Sequence, residues 1–336
     1  MTAPQPAVLV EGIEKSFGSV KALRGVSFEV PRGTVLGILG PNGAGKTTTV
    51  NVLSTLLRPD KGRAVIAGHD VVSDAAGVRR SVMMTGQYAA LDESLSGREN
   101  LVLFGRLMGL RKGAAKARAT ELLEEFDLVG AGDRKVIEYS GGMRRRVDIA
   151  CGLVTRPEVV FLDEPTTGLD PRSRQSVWSL VSALKEQGIT ILLTTQYLEE
   201  ADLLSDNIVV IDKGTVIAEG TADELKARTG GNYCEVVPAR LEDLPVVRDI
   251  LASLTSPDKV TETGSDRLSI PAEYGAQTLA EALRRLDLAK VELADIALRR
   301  PSLDDVFLSI TGRNDATDPG AAVESDRAPQ REGLSL

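Results

Sequence analysis

The sequence predicts an α/β fold followed by a smaller α+β domain, and three observations carry that prediction. An apolar run at 34–39 leads into a glycine-rich segment at 40–47, and a helical stretch follows. Strand, glycine-rich turn and helix in that order form the first unit of an α/β fold. Short apolar runs then alternate with helical stretches between 158 and 212. The length of 336 residues exceeds what one average domain requires.

The composition is that of an ordinary globular chain and excludes several functional classes. Hydrophobic residues make up 42% and charged residues 26%, which argues against a largely disordered chain. No apolar run is long enough to cross a bilayer, and the N-terminus lacks the pattern of a secretion signal. The net charge of −8 argues against a nucleic-acid partner. Cys151 and Cys234 are too few for a disulfide framework, which favours reduced thiols in the cytosol.

The elements near the N-terminus are predicted from alternation and from breaks at glycine and proline. Residues 7–30 predict short strands, because Val and Phe alternate with polar residues. The run 34–39 is apolar throughout, which predicts a strand buried on both faces of a sheet. The helical stretch after the glycine-rich segment is predicted to cover 47–57 and to end at Arg58-Pro59-Asp60.

A helical insertion is predicted in the middle of the α/β pattern. Residues 95–130 place apolar side chains at spacings of three and four, which indicates two successive amphipathic helices within an insertion at about 90–152. The α/β pattern then resumes. Its predicted elements are a strand at 158–162, a helix opened by Asp170 as N-cap and Pro171, a strand at 190–195 and a strand at 207–212.

A different pattern begins after the turn at 229–232. Residues 231–311 read as β-α-β-β-α-β, which predicts a small ferredoxin-like α+β domain. A last helix is predicted after Pro301, with Ser302 as its N-cap. Residues 312–336 contain almost no large apolar side chain and predict a flexible tail.

The glycine-rich segment matches the pattern G-x-x-x-x-G-K-[ST]. Its glycines let backbone N–H groups converge on phosphate oxygens at the start of a helix, where the helix dipole favours anions. Lys46 is expected to reach the β- and γ-phosphates, and Thr47 to ligate Mg²⁺. The predicted nucleotide-binding residues of this segment are Gly40, Pro41, Asn42, Gly43, Ala44, Gly45, Lys46, Thr47 and Thr48.

Two acidic residues follow the predicted strand 158–162. The edge of an α/β sheet at the carboxyl ends of its strands is where ligands bind. Asp163 is therefore expected to hold Mg²⁺, and Glu164 to orient and deprotonate the attacking water. Taken alone, an Asp-Glu pair after a strand is more often a solvated loop, and only the phosphate-loop motif reverses that reading.

A second anion-binding helix start is predicted at Ser140, Gly141 and Gly142. Ser140 is placed like an N-cap, and the two glycines expose N–H groups beside it. One phosphate chain does not need two such helix starts from one subunit. A head-to-tail dimer, in which ATP lies between the Lys46 loop of one subunit and the Ser140 helix of the other, is the economical explanation.

These motifs together resemble the ATP-binding cassettes of ABC transporters, over about residues 7–230. The resemblance rests on motif order, namely GPNGAGKTT, Gln87, YSGGM, VVFLDEP, GLD and TTQYLEEA. It implies a phosphate-loop ATPase with a RecA-like sheet core, an antiparallel subdomain and a helical insertion. A finer match is to the daunorubicin-resistance type of ATP-binding subunit. It rests on YSGGMRRR, DEPTTGLDPRSR, TTQYLEEAD and the late RRPSLDDVF.

The resemblance implies further roles for single residues. Phe17 matches the aromatic residue that stacks on adenine, and Gln87 matches the glutamine that touches Mg²⁺ and water. Asp170 matches the loop that crosses the dimer interface, and Glu138 lies where a membrane partner is contacted.

The sequence departs from the family pattern at two places. Tyr139 and Met143 flank the signature where Leu and Gln are common. Gln196 occupies the place of the switch histidine, and the single histidine, His69, reads as a surface turn residue. An amide donates and accepts hydrogen bonds but carries no proton, so Gln196 is expected to position the γ-phosphate only.

The resemblance implies the ATP-hydrolysing subunit of an ABC exporter. Such a chain is expected in the cytoplasm, peripheral on the inner face of the membrane, with a separate polytopic permease as partner. The exported substrate is an anthracycline-like drug or a complex lipid, since mycobacterial members of this type are associated with lipid export. The alternatives are a soluble ABC ATPase acting on DNA or ribosomes, or a weakly hydrolysing nucleotide-dependent regulator.

Overall fold

The computed structural model describes residues 5–86, 90–229, 231–262 and 264–307. Gln87 and the predicted tail at 312–336 lie outside these residues. Between residues 8 and 85, the elements are β1 Val8–Phe17, β2 Val20–Val30, β3 Val35–Leu39, α1 Lys46–Leu53, β4 Lys61–Ile66, β5 His69–Asp70, α2 Ala75–Ser81 and β6 Val82–Thr85. The middle of the chain contains α3 Gly97–Leu107, α4 Lys112–Glu125, α5 Gly141–Gly152, β7 Val159–Asp163, α6 Pro171–Glu186, β8 Thr190–Thr195, α7 Leu198–Leu204, β9 Asn207–Asp212, β10 Thr215–Gly220 and α8 Ala222–Thr229.

The central sheet is mostly parallel, which confirms the predicted α/β class. Its strand order in the described part of the chain is β10-β9-β3-β8-β7-β6, with β10 antiparallel to β9 and the other neighbours parallel. β3, β7 and β8 are buried at every position, and for β3 this confirms the burial predicted from the apolar run at 34–39. A separate antiparallel sheet has the order β2-β1-β4-β5.

The two faces of the central sheet carry different layers. The antiparallel sheet and α1 pack on one face, where Leu36, Ile38 and Phe161 are buried. The helices α3, α4 and α5 pack on the other face, where Val160 and Leu162 are buried. The predicted helical insertion is therefore present, and the carboxyl ends of β3, β7 and β8 lie between the two layers.

The helix after the glycine-rich segment is shorter than predicted. α1 ends at Leu53, whereas the sequence predicted a helix through residue 57. Thr55 has a φ of 66°, in the left-handed region that ends a right-handed helix. The apolar residues beyond Leu53 therefore belong to a turn.

The C-terminal part has the predicted β-α-β-β-α-β order. Its elements are β11 Tyr233–Pro238, α9 Leu244–Ala252, β12 Thr261–Glu262, β13 Leu268–Pro271, α10 Ala276–Leu288 and β14 Leu293–Arg299. The strand order β12-β13-β11-β14 places the first and third of these strands in the centre, as in ferredoxin-like domains. The two helices share one buried cluster with β11 and β13.

The last described turn packs on the core of the first domain. Residues 303–307 are helical, and Ser302 caps them by accepting a hydrogen bond from the Asp305 amide. Leu303 and Val306 are buried in a cluster with Leu39 of β3. The segment assigned to the C-terminal domain therefore ends on the core of the first domain.

Among the described residues, no helix is long and apolar enough to cross a membrane. Cys151 and Cys234 are free and buried, and burial raises the pKa of Cys234 to about 11. Neither cysteine therefore forms a disulfide with the other.

Candidate nucleotide-binding site

The glycine-rich segment forms a turn between β3 and α1, at the carboxyl edge of the central sheet. Gly45 is the N-cap of α1 with a φ of 112°. A Cβ atom at Gly45 would lie 2.9 Å from both the Ala22 carbonyl oxygen and Leu23 Cδ2, so only glycine fits there. The loop and Glu164 line a cavity of about 310 Å³. The cavity opens in front of the α1 N-terminus, where the helix dipole attracts anions.

Lys46 points back across this turn and is only 4% exposed. Its Nζ donates to the carbonyl oxygens of Gly40 at 2.7 Å and Pro41 at 3.2 Å. The same Nζ lies 3.4 Å from Glu164 Oε1, in a buried ion pair. The lysine charge is therefore held at the cavity wall and is compensated by the predicted catalytic carboxylate.

Asp163 is the last residue of β7, and its carboxylate is fixed by a neighbouring strand. Thr194 Oγ1 on β8 donates to Asp163 Oδ1 at 2.5 Å, and Thr47 Oγ1 donates to the same oxygen at 3.4 Å. The structure therefore brings Thr47 and Asp163 together, as the sequence predicted for Mg²⁺ ligands.

Glu164 adopts an unusual backbone conformation directly after β7. Its φ is 48°, in the left-handed region that non-glycine residues rarely occupy. The Glu164 amide donates to the Thr194 carbonyl and hydroxyl oxygens, both at 3.1 Å, and Thr167 Oγ1 donates to Glu164 Oε2 at 3.2 Å. These bonds stabilise a strained turn that aims the carboxylate at the cavity. Thr194 was not predicted, because only the pairing of β7 with β8 places it there.

Gln196 follows β8 and lies beside the first residues of the phosphate loop. It lines a cavity of about 210 Å³ together with Leu39, Gly40, Pro41, Asn42, Leu198 and Phe307. Gln196 is thus next to the phosphate loop, and its contact with a γ-phosphate stays a prediction. Phe307 was not predicted to lie here, since it belongs to the far end of the chain.

His69 is not the surface turn residue that the sequence predicted. It lies in the short strand β5, is partly buried, and its Nδ1 is 2.7 Å from Asp74 Oδ2. His69 is therefore a strand residue of the antiparallel sheet layer, and its imidazole contacts the Asp74 carboxylate.

Ser140 caps α5, as predicted, and remains exposed. Its hydroxyl oxygen accepts from the Met143 amide at 3.2 Å. Gly141 is also exposed, whereas Gly142 is buried against α6. A Cβ atom at Gly142 would lie 2.5 Å from Ser173 Oγ, so the two helix starts pack closely only with glycine there.

Asp170 caps α6 and is exposed as well. It accepts from the Ser173 hydroxyl at 2.5 Å and from the Ser173 amide at 3.0 Å, and these bonds hold the pKa of Asp170 below its ordinary value. Within the described ranges, no hydrogen bond or ion pair joins Ser140 or Asp170 to Lys46. The two predicted halves of the site are therefore not joined through these side chains.

Three further residues were predicted to contribute to the site or to a partner contact, namely Phe17, Glu138 and Gln87. Phe17 ends β1 and is 49% exposed, with Lys15 Nζ 5.8 Å from the centroid of its ring. Glu138 is exposed and pairs with Arg134 at 3.6 Å. The position of Gln87 is outside the described residues, although Gly86 and Ala90 on either side are described.

The donor set fits a magnesium ion. No group of three or more His, Cys, Asp and Glu side chains that could hold a metal occurs in the described ranges. The Thr47 hydroxyl and the Asp163 carboxylate are hard oxygen donors. Mg²⁺ is bound by one or two carboxylates together with phosphate oxygens and water, so this set is sufficient.

A buried carboxylate joins the elements behind the site. Glu200 on α7 accepts from Thr166 Oγ1 at 2.9 Å and from Trp178 Nε1 at 3.0 Å. Burial raises the pKa of Glu200 above its ordinary value. Glu200 therefore connects α6 and α7 to the loop between Glu164 and Asp170, which no sequence pattern indicated.

Comparison with known proteins matches both parts of the chain. The family described as "ABC transporter" matches residues 23–167, and the family described as "ATP-binding protein DrrA1-3-like, C-terminal domain" matches residues 220–311. The chain is 62% identical over 317 residues to the doxorubicin resistance ATP-binding protein DrrA of Mycobacterium tuberculosis, covering 93% of this chain and 94% of that protein. The chain belongs to the DrrA-type ATP-binding proteins of ABC transporters.

Two further similarities support this membership. The chain is 56% identical to the daunorubicin resistance ATP-binding protein DrrA3 of Streptomyces coeruleorubidus, covering 91% of this chain and 96% of that protein. It resembles a solved ATP-binding cassette, dimeric and bound to ADP and Pi, with a TM-score of 0.58 and 26% identity. That likeness covers 64% of this chain and 98% of the cassette. As a member of the DrrA type, the chain is an ATPase that is coupled to transport, and these relatives give no support to the DNA, ribosome or regulator alternatives.

Proposed function

We propose that two copies of this DrrA-type chain associate head to tail and bind ATP between them. Each site would combine the Lys46 loop of one copy with the Ser140 and Asp170 helix starts of the other. The observation that carries this proposal is the difference in burial between the two sets. Lys46 and Glu164 are buried around a cavity, whereas Ser140 and Asp170 cap exposed helix starts.

ATP binding is proposed to reorganise the buried side of the site. The phosphates enter the cavity in front of α1, and Lys46 exchanges its contact with Glu164 for the β- and γ-phosphates. Phe17 is exposed at the edge of the same layer and supplies an aromatic face for adenine. Thr47, Asp163 and Gln87 are the proposed Mg²⁺ ligands, and the ion would neutralise phosphate charge when bound.

Glu164 is proposed as the general base. Once Lys46 turns to the phosphates, the carboxylate is free to orient a water and take its proton. The left-handed backbone at Glu164 and the bonds that its amide donates to Thr194 fix the turn, and Thr167 donates a hydrogen bond to the carboxylate itself. Gln196 positions the γ-phosphate through its amide and takes no part in proton transfer.

The chain is proposed to act at the inner face of the cell membrane with a separate polytopic permease. Closure of the ATP-bound dimer and its opening after hydrolysis would drive the permease, and exposed residues near Glu138 would contact it. The exported substrate is proposed to be a hydrophobic drug of the anthracycline type or a complex lipid. The proposal of a drug as substrate is supported by the resistance functions in the names of the relatives.

Mixing two inactive variants tests the head-to-tail arrangement. Lys46→Ala removes the phosphate-loop charge, and Ser140→Arg blocks the opposite helix start. Each full-length variant alone should hydrolyse almost no ATP. A mixed dimer regains one intact site, so an equimolar mixture should recover about a quarter of the parent rate, since half of the dimers are mixed and each has one of two sites. Recovery of no activity on mixing would contradict the composite site.

A further inference from the structure

A buried ion pair lies one turn apart on α5, behind the exposed helix start. Arg145 and Asp148 are each 7% exposed, and Arg145 Nη1 lies 3.2 Å from Asp148 Oδ2. Burial lowers the pKa of Arg145 and raises the pKa of Asp148, so both charges are largely withdrawn from water. Replacing such a pair by apolar side chains is often neutral for stability, so its presence calls for a further role.

Both members of the pair also bind backbone of the segment that flanks Gln87. Arg145 Nη1 donates to the Gly86 carbonyl oxygen at 2.8 Å. The Ala90 amide donates to Asp148 Oδ1 at 3.1 Å. The two flanks of residues 87–89 are therefore fastened to the same helical turn.

The guanidinium reaches a third point, beside the proposed general base. Arg145 Nε donates to the carbonyl oxygen of Pro165 at 3.0 Å, and Pro165 follows Glu164 directly. A planar guanidinium can donate to several carbonyl oxygens at fixed angles, which a lysine ammonium cannot do in the same way. The residue type at 145 thus matches a connection between separate backbone segments.

We propose that Arg145 and Asp148 are a positioning pair that links the Ser140 helix to the backbone at Glu164 and to the flanks of Gln87. This inference rests on the proposed function of Ser140, because α5 begins at the residue after it. When the opposite subunit's ATP engages Ser140, a shift of α5 is transmitted by the pair to Pro165 and Gly86. Neither side chain touches ATP, and the pair acts on the turnover step through the placement of Glu164.

An apolar double variant separates this role from simple packing. Arg145→Met with Asp148→Leu fills similar volume and removes both charges. It also removes the bonds to the backbone of Gly86, Ala90 and Pro165, so its melting temperature is measured beside its kcat. The full-length double variant should bind ATP within about twofold of the parent, measured by equilibrium titration, because the phosphate loop is untouched. Its kcat should fall by about tenfold to a hundredfold, since small displacements of catalytic groups are costly.

A conservative variant and a packing control complete the test. Arg145→Lys keeps the charge but not the geometry, and it should also lower kcat at unchanged ATP affinity. Val147→Ala creates a cavity on the same helix, where Val147 is fully buried. It should lower the melting temperature and leave kcat within about twofold of the parent. Faster hydrogen exchange of the Ala90 amide is expected in the double variant and not in Val147→Ala.

The results distinguish a positioning role of Arg145 and Asp148 from a role in packing alone. Unchanged kcat in both Arg145 variants overturns the proposal, whatever their stability. The proposal is also overturned if Val147→Ala lowers kcat as much as the double variant does for the same loss of melting temperature. If the double variant does not fold, Arg145→Lys alone decides by its kcat and ATP affinity. Failure of the proposed function of Ser140 is visible separately, because Ser140→Arg would then retain ATP hydrolysis.

Discussion

The two sides of the proposed ATP site differ in how complete they are within one chain. Around Lys46, a buried ion pair, two carbonyl contacts and a threonine from the next strand fix the side chains. Around Ser140 and Asp170, the hydrogen bonds that each side chain makes within the described part of the chain stay at its own helix start.

This difference supports the proposal that one side of the site is preorganised within the chain and the other depends on association. The Lys46 side is expected to bind phosphate with little rearrangement, because only Lys46 has to change its contacts. In the proposed dimer, the exposed side would offer helix dipoles and the Ser140 hydroxyl to the ligand that another copy presents. Substitution of Lys46 should weaken ATP binding even by the monomer, whereas substitutions on the second side should act only in the dimer.

Glu164→Gln should give the largest effect and act on chemistry alone. Loss of the base should lower kcat by about a hundredfold to ten-thousandfold, because general base catalysis contributes that much. ATP affinity should persist, and ATP-Mg²⁺ should hold the dimer closed in size-exclusion chromatography. Glu158→Gln is the control, since Glu158 is exposed and pairs with Arg32. A Glu164→Gln chain that stays monomeric at saturating ATP would break the comparison.

Ser140→Ala should act only through association. A hydrogen bond to a charged phosphate contributes about 1.5–3 kcal/mol, so turnover should fall by about tenfold to a hundredfold. ATP binding by the monomer should not change. Ser96→Ala is the matched control, because Ser96 caps α3 by the same type of bond. Both variants should lose about 1 kcal/mol of unfolding free energy, and only Ser140→Ala should lose turnover. Equal turnover in the two variants would remove the exposed side from the site.

Gln196 should have a smaller effect than either of these. Gln196→Ala should lower kcat by about fivefold to tenfold, because a lost hydrogen bond costs about 1 kcal/mol or somewhat more. Gln196→His should stay active and add a pH dependence between roughly 6 and 7 that the parent lacks. Steady-state rates across mildly acidic to neutral pH measure both. If Gln196→Ala is as inactive as Glu164→Gln, the division of roles between the two residues is wrong.

Glu200→Gln should have the smallest effect and concern stability. Because the folded pKa of Glu200 is raised, its buried carboxylate destabilises the fold at high pH, and that penalty disappears as pH falls through the folded pKa. The glutamine can still accept hydrogen bonds from Thr166 and Trp178. At pH 8 the free energy of unfolding of the variant should therefore equal that of the parent or exceed it by up to about 1 kcal/mol. This advantage should shrink on acidification in thermal unfolding. Glu199→Gln, at an exposed neighbour, should show no such trend.

The sequence predicted those features that depend on local spacing. The phosphate loop, the N-caps at Ser140 and Asp170, and the strands that lead to Asp163 and to Gln196 follow from neighbouring residues, and the structure contains them. The early end of α1 was missed because apolar spacing continues past Leu53 although the backbone turns at Thr55.

Features that depend on distant parts of the chain were not predictable from spacing. Thr194 reaches Asp163 only because β8 pairs with β7. Gly142 is needed because Ser173 approaches it from another helix. The pair Arg145 and Asp148 was not predicted, since its backbone partners lie in two other segments. A single sequence carries no signal for such contacts.

The helical turn at 303–307 has a consequence for how the molecule is made. Its Leu303 and Val306 complete an apolar cluster that also contains Leu39 of the strand leading into the phosphate loop. During synthesis that strand leaves the ribosome early, while Leu303 and Val306 emerge only after the residues between 40 and 302. Domains generally fold from the N-terminus as they are made. Here the layer beneath the phosphate loop stays partly open to water until residue 306 is available, so the proposed nucleotide site is completed late.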